Sequence, residues 1–484
     1  MSYIMRLVCA VICCFLLTNS LNYCKGATAV KEAVVQDNKE QEAVSSDGLV
    51  EVSYSKERGE HIIHIKGICD ITKEVDNALR AGGVIRLSGG IGLISQPLVI
   101  YKDNTHFIID TNTILKWTHP SYGVILRTVY TVNKKTILNN VSVEGGIWEM
   151  GGANKNTGGP PAIMMIGVKN LRVSNITMYD PYKFFFGFGG IDGFEISNIT
   201  MYLRNTSIAG KDGLHFAGGV RNGTVSNIRG NTTDDLVALN FGGDIVGDDS
   251  KSEMMSVGDS YNVTVMNVFS ENARQAVRLL ADDVYKCTDI TVDGVYGVVK
   301  NHSCISISGW MYEGHTARFG DITLSNIHVQ TPNTIDEGYE AWHSPIILIG
   351  NHWNRIVPCY IKSLTINGCV VTQSKGMLQT PIRVVGNTII DSLLIDGLIV
   401  NTIGELDLGK HSVIDIGHSG QNAKIKNLTL TNSYIERASI PFEALIRIEN
   451  KGSVVENAKI FNNFQGTVIP KNSRRFEVKN NKNL

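Results

Sequence analysis

Net charge is what this chain has least of. Its 45 lysines and arginines stand against 46 acidic residues, for a formal charge of -1. A phosphate backbone needs a basic face that this balance does not supply, so nucleic acid is not expected as a partner. Cysteine is sparse as well. Cys9, Cys13, Cys14 and Cys24 fall near the N-terminus and Cys69, Cys287, Cys304, Cys359 and Cys369 in the body, with no C-x-x-C pair. That pattern excludes a disulfide framework and a zinc site, and predicts body thiols buried as small apolar groups. Missing too is any leucine-rich periodicity of 3.6 residues, which argues against leucine-rich and helical repeats. No cofactor motif stands out.

Long hydrophobic runs are confined to the N-terminus. The stretch from Leu7 to Leu17 follows Arg6 and is too short to span a bilayer comfortably. It reads as an export signal over residues 1–29, with Ala27-Thr28-Ala29 as a small-residue cleavage site. Leu21-Asn22-Tyr23-Cys24 also fits a poor lipobox, which would make Cys24 a lipid anchor. The protein is therefore expected outside the cytoplasm, in a periplasm, on a cell surface or secreted, with no transmembrane span.

Residues 30–48 are polar and poor in large apolar side chains, the composition of a mobile linker. The ordered domain is expected over 49–470, followed by a polar tail over 471–484. Near its start Asp70 is a good helix N-cap. Ile71, Val75, Ala78 and Leu79 recur at helical spacing until Gly82-Gly83. Val84-Ile85-Arg86-Leu87 and Leu98-Val99-Ile100 then have the short, β-branched pattern of strands.

From residue 139 one pattern returns: LRVSNITM (171–178), FEISNITM (194–201), GTVSNIRG (223–230), NVTVMNVF (262–269), DITVDGVY (289–296), DITLSNIHV (321–329) and further copies. At one offset stand Asn175, Asn198, Asn227, Asn267, Gly294, Asn326, Gly368, Gly397 and Asn432, between 23 residues (Asn175 to Asn198) and 42 residues (Asn326 to Gly368) apart. Asn and Gly are the residues that best tolerate the left-handed backbone a corner between two strands requires. Alternating apolar neighbours such as Val173, Ile176 and Met178 would fill an interior, and variable intervals mean loops inserted at one corner. This predicts an all-β, right-handed parallel β-helix of the pectin-lyase-like kind, its coils about 4.8 Å apart, with the leading helix capping its open apolar end. A β-sandwich would not keep Asn or Gly at one offset in nine successive units.

Stacking the coils superposes KDGLHFAGG (211–219), TDDLVALN (233–240) and RQAVRLLA (274–281). In that alignment Leu214, Leu236 and Val277 point inward and His215, Val237 and Arg278 outward, while Asp212 stacks on Asp234 with Asp235 beside them. Like charges one coil apart repel and raise at least one pKa. Such a cluster suits glycosidic hydrolysis, in which one carboxyl holds a proton for the leaving oxygen and another activates water. Arg278 and His215 could hold substrate, an arginine fork being apt for a uronate carboxylate. His302, Trp310, Tyr312 and His315, one coil on, could form sugar subsites; His343, His352 and Trp353 belong to later loops. Met164-Met165 and Phe184-Phe185-Phe186 read as core. Acid pairs at turns can also be solvated turn residues or calcium ligands.

At these residues the sequence resembles the polygalacturonase family, glycoside hydrolase family 28, within the pectate-lyase-like superfamily. That family's Asn-Thr-Asp, followed one coil on by Asp-Asp, is matched by Lys211-Asp212-Gly213 and then Asp234-Asp235, 22 residues after Asp212. Ala276-Val277-Arg278-Leu279-Leu280 resembles its Arg-Ile-Lys element, and Ile71 through Gly90 and Gly145-Gly146-Ile147-Trp148-Glu149 its first coils. The resemblance implies Asp234 as general acid, Asp212 and Asp235 as the pair holding the water, Arg278 as a carboxylate contact, and inverting hydrolysis, with a uronic-acid-containing polysaccharide as the expected substrate; a monomer with no metal and no cofactor is expected. Three departures stand out: the Gly-His-Gly coil is missing, Leu280 replaces lysine, and Lys211 replaces threonine. A calcium-dependent lyase and a non-catalytic carbohydrate-binding solenoid remain the alternatives.

Overall fold

The computed structural model describes residues 41–44, 48–120, 123–154, 159–241, 256–299, 302–309, 316–331, 345–350, 357–373, 380–402, 412–418, 422–435, 444–463 and 476–479. The export signal, Cys24, Trp310, Tyr312, His315, His343, His352 and Trp353 lie outside the described residues. Strands run parallel, coil upon coil, from Glu60 to the C-terminal strand Phe476–Lys479, in a right-handed β-helix. Among the described residues no helix is long and apolar enough to cross a membrane.

The corner residues carry the geometry their chemistry predicts. All nine, from Asn175 to Asn432, have positive φ. Asn198 donates to Asn175 at 3.0 Å, Asn227 to Asn198 at 3.0 Å and Asn267 to Asn227 at 3.2 Å, a ladder along the solenoid. Inside, Leu214, Val237, Val277, Ile305, Ile347, Ile382, Ile414 and Ile446 form one in-register row, every member fully buried. At about 1.5–3 kcal/mol for each large apolar side chain removed from water, such rows dominate the stability of the stack. The helix Thr72–Ala81 packs Val75, Ala78 and Leu79 against the first coil and so covers the apolar end. Ile71, not Asp70, is the N-cap residue; Asp70 stands one residue earlier and accepts the Thr72 amide at 2.9 Å, and Gly82 leaves the helix with φ 78°.

One further expectation is corrected, and two stretches outside the expected β-helix carry strands. The stretch read as linker contains the strand Gln41–Val44, antiparallel to Val50–Ser55. The stretch read as a polar tail contains Phe476–Lys479, which adds parallel to Val454–Phe461. The inward row is one residue away from the one expected: Leu214 stacks on Val237, not on Leu236. Leu236, Val237, Ala238 and Leu239 are all fully buried, so the strand has no polar face to reveal its register.

Candidate active site

The corrected register decides which acids are neighbours. Asp235 begins the strand Asp235–Asn240 and stands level with Gln275; one coil earlier the Asp235 carbonyl accepts the Gly213 amide at 2.8 Å. Asp212 therefore lies beside Asp235 rather than stacked on Asp234, and its Oδ1 takes the Asp235 amide at 3.3 Å. The approach depends on glycine. A Cβ at Gly213 would meet the Leu236 carbonyl oxygen at 2.4 Å. Lys211 pins the same turn from the other side, its fully buried ammonium donating to the Gly152 and Pro181 carbonyls at 2.7 and 2.8 Å. Burial lowers this lysine's pKa to about 8, with Asp180 opposing and Lys183 adding to the fall.

One oxygen or more from each of Asp212, Asp234 and Asp235 lies within 4.8 Å of the others, close enough to share a proton, a water or a cation. Their environments differ. Asp212, with 5% of its side chain exposed, places Oδ2 2.7 Å from His215 Nδ1. Asp235 is fully buried; its Oδ2 accepts from Arg278 at 3.2 Å and its Oδ1 has no hydrogen-bond partner. Burial pushes its pKa well above the usual carboxylate range; Arg278 opposes the rise, and Asp212 and Asp234 add to it. Asp234 keeps 22% exposure and has Arg274 3.4 Å away. Burial and then the charge of Asp212 raise it to about 6, against the pull of Arg274, Arg278 and Lys183.

His215 and Arg278 share one outward row, separated by Ala238 where Val237 was expected. His215 is nearly sealed, at 5% side-chain exposure, because Phe184 lies flat on its ring at 4.5 Å and 7°. Phe184 is thus a neighbour of the acids and not core, whereas Phe185 and Phe186 are core as expected. Met165 belongs to the main core, while Met164 is buried in a small separate cluster with Val124 and Ile166, against which Phe184 packs. His302 is also buried, its Nδ1 within hydrogen-bonding distance of Gln275. Sequence reasoning missed Arg274, Phe184 and Lys183. With Gln275 level with Asp235, Arg274 falls beside Asp234, so the correct register would have found it.

The described cysteines are buried and unbridged. No family model matches this sequence, and no curated protein does. Its likenesses are to solved parallel β-helices. The catalytic domain of the GH87 alpha-1,3-glucanase in complex with nigerose aligns over 82% of this chain and 68% of that one, at 16% identity and a TM-score of 0.47. A surface adhesin of Streptococcus pneumoniae aligns over 85% and 88%, at 12% and 0.43. Endo-xylogalacturonan hydrolase from Aspergillus tubingensis aligns over 77% and 96%, at 13% and 0.45. These are likenesses in the course of the chain.

Proposed function

We propose that this protein hydrolyses a glycosidic bond in a polysaccharide containing uronic acid, with Asp234 as general acid and Asp212 and Asp235 holding the attacking water. The observation that carries the reading is the convergence of three carboxylates in three different environments. An acid catalyst must keep its proton near the working pH and still reach the leaving oxygen. Asp234 combines a pKa raised to about 6 with the exposure to meet a substrate. Asp235, sealed and with one oxygen unpartnered, suits a water.

The nearest oxygens of the three carboxyls lie within 4.8 Å of one another, which suggests a separation nearer to that of retaining enzymes, about 5–5.5 Å, than to that of inverting ones. Burial favours inversion nonetheless. A retaining nucleophile must touch the anomeric carbon, and Asp235 is fully buried while Asp212 has one oxygen on His215 and the other on a backbone amide. Lys183, Arg274 and Arg278, which all act on Asp234, are cations suited to a uronate.

The test is a panel of plant and host polysaccharides, polygalacturonate among them, with product analysis and proton NMR of the newly formed anomer. Saturated reducing ends formed in the presence of chelator support hydrolysis. Unsaturated, ultraviolet-absorbing products that require calcium would replace this reading with a lyase in which the converging oxygens hold the ion, and binding without products would leave a carbohydrate-binding solenoid. Asp234→Asn is expected to lower turnover about 10²- to 10⁴-fold with binding retained.

A further inference from the structure

We infer that His215 is a positioning residue, which aims the catalytic carboxylates through Asp212 and does not touch substrate. The inference rests on the hydrolase reading above. Its starting point is a ring with almost no free surface: one face lies on Phe184, Nδ1 meets Asp212 Oδ2 at 2.7 Å, and Nε2 faces Asn240 Nδ2 at 3.5 Å.

The Asp212 contact places one of the ring's protons. A carboxylate accepts, so Nδ1 carries hydrogen and donates to Asp212. Nε2 of the neutral ring is then an acceptor, and Asn240 presents its amide N–H to it. Asn240 is itself buried, and its Oδ1 has no partner. Turning that amide over would set the oxygen against Nε2 and accept a second proton there, so both charge states of the ring can be satisfied without moving it. Asp212 is thereby held at both oxygens, by the imidazole and by the Asp235 amide, and its position relative to Asp235 is set from two successive coils.

Among the described residues, the charges around the ring include Asp212 from its own coil, Asp234 and Asp235 from the next, and Arg274 and Arg278 from the one beyond, with Lys183 over Phe184 from the one before. Losing the Nδ1 donor frees one Asp212 oxygen among like charges. The carboxylate then swings or takes a proton, and the water loses its alignment. A misplacement of about 1 Å in such a group costs about 10²-fold in rate.

His215→Phe keeps the stack on Phe184 and removes the donor; His215→Asn places an amide N–H near the Nδ1 position. On polygalacturonate, His215→Phe is expected to lose about 10²-fold in kcat with KM within about twofold of the parent, and to shift the acidic limb of the pH–rate profile. His215→Asn should recover part of kcat and return that limb. In the intact protein labelled with ¹⁵N-histidine, the His215 signal, assigned by its absence from His215→Phe, should report the Nδ1–H tautomer and should change in Asp212→Asn.

A raised KM at unchanged kcat would overturn the inference and make His215 a substrate contact. Equal losses in both variants with an unmoved pH profile would also overturn it, leaving packing alone, as would an Nε2–H tautomer indifferent to Asp212→Asn. Asp234→Asn assayed alongside separates the two levels: full activity there defeats the hydrolase reading itself, whereas an inactive Asp234→Asn beside a fully active His215→Phe defeats only the role of His215.

Discussion

Asp235 and Asp415 are both fully buried aspartates on the same flank of the solenoid, and they are built in opposite ways. Asp415 lies in the row that continues from Arg278 through Ser306, Leu348 and Arg383. Arg447 reaches both of its oxygens, at 2.9 and 3.0 Å, and Arg383 and the Thr380 hydroxyl add contacts at 3.3 Å each. Asp235 has one arginine at 3.2 Å, two acids nearby and an oxygen with no partner. A charge taken out of water is tolerated when it is paired and hydrogen-bonded. Asp415 meets that condition and Asp235 does not, so one reads as structure and the other as a group held short of its needs for chemistry.

The sharpest way to break this contrast is to neutralise each in turn. Asp235→Asn should lower turnover about 10²- to 10⁴-fold and cost less stability than Asp415→Asn, since Arg278 makes only one contact to Asp235. Activity close to that of the parent would make Asp235 structural too. Asp415→Asn should do the reverse. It leaves Arg383 and Arg447 facing a neutral amide, at a cost of about 3–5 kcal/mol in urea unfolding, with turnover per folded molecule unchanged.

A smaller effect separates the two regions by pH. Asp234 binds its proton up to about pH 6 in the folded chain, against an ordinary value of 3.8. The folded state therefore holds more protons between those values, and stability falls as pH rises through that window. Asp234→Asn should escape this loss. We expect it to be about 1–3 kcal/mol more stable than the parent at pH 7, with the gain vanishing below about pH 4. A gain equal at both pH values would show that the carboxyl's titration is not its source. Turnover of the parent should decline above about pH 6, as the acid loses its proton.

Much of this was legible in the sequence, and the failures have physical causes. The corner residues Asn175 to Asn432 announced the solenoid, because few side chains tolerate a left-handed backbone. A second corner was equally visible and went unread: Asn170, Asn222, Asn262 and Asp289 also have positive φ, each five residues before a corner of the first ladder, and Asn262 donates to Asn222 at 3.0 Å. The acids Asp212, Asp234 and Asp235 were legible as a group. Their pairing was not, since the run from Leu236 to Leu239 is apolar on both faces and alternation cannot set its register. Phe184 was misread because an aromatic beside two core aromatics carries no mark of facing a histidine. Asp415 carries no mark in the sequence, because Arg383 and Arg447 stand one coil before and one coil after it and only the stack brings the three together.

The smallest change expected to register is Thr380→Val. Thr380 is buried; its hydroxyl donates to Asp415 at 3.3 Å and accepts from Arg383 at 3.4 Å. Valine keeps the shape and removes both contacts, but both Asp415 oxygens remain on Arg447. The loss should be about 1 kcal/mol, the net worth of an ordinary hydrogen bond, read as a lower urea midpoint at unchanged slope and unchanged turnover. A loss above about 3 kcal/mol, the range for breaking a buried ion pair, would mean that the two arginines do not satisfy Asp415 without the hydroxyl. The difference from Asp235 would then be one of degree, and the partnerless oxygen of Asp235 would no longer mark it out.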